Sequence, residues 1–273
     1  MRVRCQQLET VWRVTLTASP GRDAVALDGP GLTQLDGVIT AAQSADDCRV
    51  LVLESATPGS FCAGMDLRGL IDGGDEPGAA MASYASCLRR LRAMRHAIVL
   101  AVVDGDATGG GVGLAAAADL VLASDRASFS LPELKWGLLP AMVIPILRER
   151  LPIAKIRWLT LSGARLDASE AQVLGLVDQV VASDEGGLET SVRRLLRGLL
   201  RNRPAAVASF KQFLRAIESR DLRGGLAAGQ QQTARDARDP QILGALRRFW
   251  DEGEPLPWFQ RPPRWSAPEG EDA

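Results

Sequence analysis

The sequence predicts an α/β fold with parallel strands, and three observations carry that prediction. Continuous apolar runs at 49–54 (RVLVLE), 97–103 (AIVLAVV) and 120–123 (LVLA) have the length and β-branched content of strands buried on both faces. Amphipathic helical spacing separates the first two runs, giving the strand–helix alternation of a parallel sheet. Each of these two is also followed by a loop rich in glycine and small residues.

Taken in order, residues 11–18 alternate as a strand does and 32–45 have helical spacing, ahead of the strand at 49–54. A small-residue loop at 55–64 leads into 65–71. The glycine- and acid-rich stretch 71–80 (IDGGDEPGAA) reads as a surface loop. Residues 81–95 form an amphipathic helix with Tyr84, Leu88 and Leu91 on one side. After the strand at 97–103 comes a glycine cluster at 105–113, a small-residue buried helix at 114–118 and the third core strand at 120–123. Beyond Pro140 the pattern becomes helical, over 143–151, 154–162, 167–174, 188–202 and 204–219, with Asp167 placed to cap the third of these. The expected organisation is an α/β core over 1–182, a helical C-terminal region over 183–260 and a flexible tail, rich in proline and acid, over 261–273.

Composition narrows the function. The chain has 273 residues, 46% hydrophobic and 24% charged, with 32 basic against 33 acidic residues and a net charge of −1. That balance argues against a nucleic-acid partner held by bulk electrostatics. His96 is the only histidine, so a histidine-rich metal centre is excluded and any His dyad would run through that residue. Lys135, Lys155 and Lys211 are the only lysines, and the other basic residues are arginines spread over the whole chain. Cys5, Cys48, Cys62 and Cys87 form no CxxC pair, which suits reduced thiols. The N-terminus has no apolar signal-peptide region and no apolar run reaches about 18 residues, so a cytoplasmic protein with no membrane partner is expected.

Two loops could carry chemistry: SFCAGMDL at 60–67 and DGDATGGGVGL at 104–114. Glycines ahead of a helix let backbone N–H groups approach a ligand closely, and the helix N-terminus favours negative charge there. Each loop could give one N–H to an oxyanion, as acyl-thioester chemistry requires, and each could equally serve as a tight turn. The GxGxxA string at 111–116 is a poor dinucleotide signature, because about eight residues separate it from the preceding strand.

SFCAGMDL at 60–67, AVVDGDATGGGVGLAAAADLVLASDRASFSLPELKWGLLPA at 101–141 and LTLSGARLDASEAQVLGLVDQVV at 159–181 together resemble the crotonase (enoyl-CoA hydratase/isomerase) superfamily. The likeness runs from about residue 8 to RRFWDEGEPLPWF at 247–259. It implies a crotonase-like spiral of ββα units with a helical C-terminal trimerisation region, hence a homotrimer or hexamer. It further implies thioester substrates on coenzyme A or on the phosphopantetheine of acyl carrier protein, with no other cofactor and no metal. Carried over by position, the oxyanion N–H donors fall on Met65 and Gly110, and the substrate-binding positions on Ala63, Gly64, Asp66, Tyr84, Gly109, Gly113 and Leu138. Of the family's two hydratase glutamates, the first falls on Gly113 and is absent. The second matches Glu133, which by residue chemistry alone also suits a first-turn helix acid after Pro132.

Glycine at 113, FCAGMD and LPELKWGLLPAMVIPIL at 131–147 are similar to one subgroup, the dehydratases of polyketide β-branching cassettes. That likeness implies a hydro-lyase converting a 3-hydroxy-3-methylglutaryl group on acyl carrier protein to 3-methylglutaconyl. The alternatives are an enoyl-CoA hydratase or Δ3–Δ2 enoyl-CoA isomerase, and a thioester-binding subunit without turnover. Tyr84, Arg68 and Lys135 are the candidates for a second proton donor or a carboxylate clamp. His96 is read as a helix C-terminal cap, Asp66 and Asp119 as loop braces, and Lys211 with nearby arginines as candidate phosphate contacts.

Overall fold

The computed structural model describes residues 1–71, 77–183 and 186–263. Strands β1 (Arg2–Leu8) and β2 (Val11–Thr17) form an antiparallel hairpin, after which comes α1 (Gly29–Ser44), capped by Asp28 through Gly31 N at 2.8 Å. Then follow β3 (Val50–Ser55), β4 (Ser60–Cys62), α2 (Leu67–Ile71), α3 (Pro77–Ala93), β5 (Ile98–Val103), β6 (Asp106–Thr108), α4 (Gly110–Ala116), β7 (Leu120–Ser124) and β8 (Ser128–Ser130). A 3-10 turn, Glu133–Trp136, leads to α5 (Val143–Leu147), α6 (Ile153–Ser162), β9 (Arg165–Asp167), α7 (Ala168–Leu174) and β10 (Gln179–Val181). Helices α8 (Gly187–Leu199), α9 (Pro204–Ile217), α10 (Leu222–Asp236) and α11 (Pro240–Arg247) complete the chain, with a π-helical turn at Arg248–Glu252.

The strands divide between a large sheet, ordered β1-β2-β3-β5-β7-β10, and a small one, β4-β6-β8-β9. Each pass of the chain gives one strand to each sheet (β3 then β4, β5 then β6, β7 then β8), which is the expected spiral of ββα turns. Pairing is parallel from β2 through β10 in the large sheet and, among the described residues, antiparallel only at β1/β2 and β8/β9.

The continuous apolar runs arise because the large sheet is covered on both sides. Leu51, Leu53, Val99, Ala101 and Val121 face the main core with α1 and α3, whereas Val50, Val52, Leu100 and Leu122 face Val192, Leu196 and Leu200 of the C-terminal region. Beneath α8 lies a buried ion pair, Arg13–Glu54. Arg13 Nη2 lies 2.8 Å from Glu54 Oε2 and 3.1 Å from Glu189 Oε2, which ties α8 to the sheet. Burial pushes the Glu54 carboxyl up, against the pull of Arg13.

The expected core strands and helices are present, with shifted ends. Asp167 caps α7 in a reciprocal box with Glu170, with bonds of 2.7 and 2.9 Å. Several expectations need correction. The loop at 71–80 is shorter, because α2 reaches Ile71 and α3 opens at Pro77; residues 72–76 lie outside the described residues, as do 264–273 of the tail. The small-residue helix begins at Gly110 rather than 114, and the helices expected to reach 151, 202 and 219 end at Leu147, Leu199 and Ile217. Nor is the chain purely helical after Pro140, since β9 and β10 rejoin the two sheets. Strands of three residues, such as β4, β6, β8, β9 and β10, are too short to show a period of two. In the glycine-rich α10 no helical stripe stands out. Phe210, Leu214, Leu222 and Leu226 on α9 and α10 are exposed. No helix among the described residues is long and apolar enough to cross a membrane.

Candidate active site

The two glycine loops meet beside one cleft of about 650 Å³, within the usual size of a small-molecule site. After β4 the chain runs extended past Leu27. Leu27 N–H donates to Gly64 O (2.7 Å) and Asp66 N–H to Leu27 O (3.0 Å). The C=O and N–H of one trans peptide point in opposite directions, so the Met65 N–H points away from Leu27, and Met65 lines the cleft. Gly64 adopts φ +88°, and a Cβ there would sit 2.9 Å from Thr108 O and 3.3 Å from Gly110 N. A glycine thus lets the first loop touch the second.

Gly110 is the first residue of α4, so its N–H has no carbonyl one helical turn back to accept it. The preceding Gly109 holds φ +54° and ψ −115°, a conformation open to glycine, and donates its N–H to Ser130 O at 2.9 Å. A Cβ on Gly109 would lie 2.7 Å from Glu133 Oε1, so the carboxylate rests against this turn. Glu133 opens the 3-10 turn that follows β8 and Pro132. Its Oε2 is buried without a hydrogen-bond partner, and burial raises the carboxyl from its ordinary value, against a bond from its own backbone N–H.

Tyr84 comes in from α3 and is 1% exposed. Its hydroxyl donates to Gly110 O at 2.6 Å, and burial keeps the phenol protonated well above its ordinary range. One turn into α4, a Cβ on Gly113 would fall 2.2 Å from that hydroxyl and 3.1 Å from Val143 Cγ2. Space that a side chain at 113 would need is therefore filled by Tyr84.

Ala63, Gly64, Met65, Tyr84, Gly109, Gly110, Glu133 and Leu138 all line the one cleft, and Gly113 lies behind Tyr84. Asp66 does not line it; it braces α2 through Gly69 N (3.1 Å) and meets Arg22 at 3.3 Å. Arg68 is exposed and also outside the lining. Lys135 lines the rim, with Nζ 3.3 Å from Gly163 O. His96 lies beyond the end of α3, with Nε2 3.2 Å from Ala42 O in the last turn of α1, so the cap it makes belongs to a different helix from the one expected.

Lys211 is not available to phosphate. Its ammonium donates to Met94 O (2.7 Å), Ala97 O (2.8 Å) and Asp119 Oδ2 (2.6 Å), and Asp119 also accepts from Val99 N (2.7 Å). This cluster lashes α9 to the start of β5. Among the lining residues not foreseen are Met81, Thr108, Met142 and Val143. Met81 stands three residues before Tyr84 on the same helix face, a spacing that could have revealed it.

Chemically, the cleft offers two backbone N–H groups with no acceptor among the described residues and one carboxylate whose buried Oε2 lacks a partner, in an otherwise largely apolar wall. Such a set can stabilise an oxyanion and move a proton next to it.

Residues 11–255 match the enoyl-CoA hydratase/isomerase family. The chain is 32% identical over 203 residues to a carnitinyl-CoA dehydratase of Proteus mirabilis, covering 74% of this chain and 77% of that one. Among solved structures it resembles AtuE of Pseudomonas aeruginosa, with 31% identity, a TM-score of 0.82 and coverage of 95% and 100% of the two chains. It is also similar to an enoyl-CoA hydratase/isomerase from Marinobacter aquaeolei, with 25% identity, a TM-score of 0.81 and coverage of 94% and 99%.

Proposed function

This chain belongs to the enoyl-CoA hydratase/isomerase family, and from that premise we propose that it is a hydro-lyase that removes water from a β-hydroxyacyl thioester. The observation that carries the reading is Glu133 Oε2, buried and unpartnered where the carboxylate meets the Gly109 turn. Burial of this carboxylate outweighs the bond from its own backbone N–H, which favours taking a proton.

In the proposed reaction the Met65 and Gly110 N–H groups hold the thioester oxygen. They stabilise the enolate that forms when Glu133 takes the α-proton. The same carboxyl then gives its proton to the β-oxygen as the Cβ–O bond breaks, so that water leaves, the double bond forms and Glu133 is ionised again. One carboxyl suffices for this cycle, consistent with the absence of an acid at 113. The proposed substrate is a 3-hydroxy-3-methylglutaryl-type group. The word CoA in the name of the Proteus relative supports a coenzyme A thioester. Delivery on acyl carrier protein within polyketide assembly rests on the likeness of 131–147 and FCAGMD to the β-branching dehydratases. Both carriers present the same pantetheine thioester. The exposed apolar side chains of α9 and α10 support assembly as a homotrimer or hexamer.

The deciding experiment incubates the protein with 3-hydroxy-3-methylglutaryl-CoA and with the same acyl group on carrier protein, and follows loss of one water by mass. Water loss from either supports the dehydratase and identifies the carrier. No water loss, together with conversion of a 3-enoyl-CoA to its 2-enoyl isomer, would establish the isomerase reading, for which the single carboxylate also suffices. Thioester binding with neither reaction would make the chain a non-catalytic binding subunit.

A further inference from the structure

The turn Gly109–Gly113 is flanked by two polar side chains that come from distant parts of the chain. The Glu133 carboxylate stands against Gly109, and the Tyr84 hydroxyl stands against Gly113. The Tyr84 proton is committed, since Oη donates to Gly110 O at 2.6 Å. A phenol oxygen that has spent its proton still has accepting lone pairs, and Tyr84 is among the residues that line the cleft. A substrate β-hydroxyl has the reverse need: one proton to give, and a lone pair that must stay open to receive the proton that releases water.

Resting on the dehydratase reading above, we propose that Tyr84 binds the β-oxygen of the substrate, accepting a hydrogen bond from the β-hydroxyl while its own O–H stays on the Gly110 carbonyl. Held that way, the β-oxygen keeps a lone pair directed to Glu133. The α-proton passes to Glu133 and then to the β-oxygen, the Cβ–O electron pair leaves with it as water, and Tyr84 neither gains nor loses a proton. Gly113 belongs to the same device, because any side chain there would displace the hydroxyl that does the holding. The specificity that results is for thioesters whose β-substituent can donate a hydrogen bond.

The test compares wild type with Tyr84→Phe, which keeps the ring and removes the acceptor, in two assays. One is dehydration of a β-hydroxyacyl thioester; the other is α-proton exchange of butyryl-CoA in D₂O, a thioester with no β-oxygen. The expected result is a fall of about 10- to 100-fold in kcat for dehydration, at least about ten-fold greater than any fall in exchange, while an unchanged circular dichroism spectrum shows that the variant is folded. Equal losses in both assays would mean that Tyr84 acts only by supporting Gly110, and would overturn the proposal. Unchanged dehydration would overturn it too. Wild type that exchanges no α-proton would instead defeat the base role of Glu133, and the Tyr84 assignment would fall with it.

Discussion

The hydroxyl of Tyr84 occupies the space that a side chain on Gly113 would need: a Cβ at 113 would come within 2.2 Å of it. Gly113 on α4 and Tyr84 on α3 thus share one space. The next neighbours of that site are looser, with Val143 Cγ2 at 3.1 Å and Tyr84 Cζ at 3.5 Å. Gly113→Ala should therefore destabilise the fold by about 1–3 kcal/mol through overpacking. In a Tyr84→Phe background the same substitution should cost clearly less, giving a non-additive double-mutant cycle in thermal or denaturant unfolding. Additive effects would show that the two side chains do not share this space.

Replacing Glu133 should separate activity from stability. Its buried Oε2 makes no hydrogen bond, so Glu133→Gln removes a desolvated carboxylate that gives the fold little in return. Turnover is expected to fall by about 10²–10⁴-fold, the range for a general acid–base group, while the melting temperature holds or rises. A large drop in melting temperature would assign Glu133 a structural role.

The pH dependence follows from the same burial. Burial raises the Glu133 carboxyl, and the base must be ionised to take a proton, so kcat/KM should rise with pH through a midpoint above the ordinary glutamate value of about 4.3. The sign on stability is opposite. A carboxyl whose folded pKa is raised binds more protons folded than unfolded, so its contribution declines as pH climbs from the ordinary value through the raised one. A pH–rate profile of wild type beside Glu133→Gln checks this, and an acid limb that survives in the variant would place the titration elsewhere.

Lys211 should matter to folding and not to thioester affinity. Lys211→Met leaves two carbonyls and Asp119 without their shared ammonium, at a cost of about 2 kcal/mol, while KM for a CoA thioester stays within about two-fold. A KM that rises steeply, and a loss of its salt dependence, would instead assign Lys211 to phosphate recognition.

What the sequence determined by itself was whatever has a local signature. The runs at 49–54, 97–103 and 120–123 were legible as doubly buried strands, because burial on both faces leaves no polar alternation. The loops around Met65 and Gly110 were legible as places where backbone comes close to a neighbour, because glycine ahead of a helix marks a close approach. Asp167 announced its helix by a cap that needs only the next three residues.

Tertiary structure alone decided which distant residues share a space. Tyr84 reaches Gly110 across 26 residues, Lys211 reaches Asp119 across 92, and Arg13 reaches Glu189 across 176. In sequence, Tyr84 is one apolar position on a helical stripe and Lys211 one cation on an exposed-looking helix. Periodicity tells which way a side chain faces, but not what it meets there. Partner identity depends on how the two sheets and their covering helices stack, and that is a property of the whole packed chain.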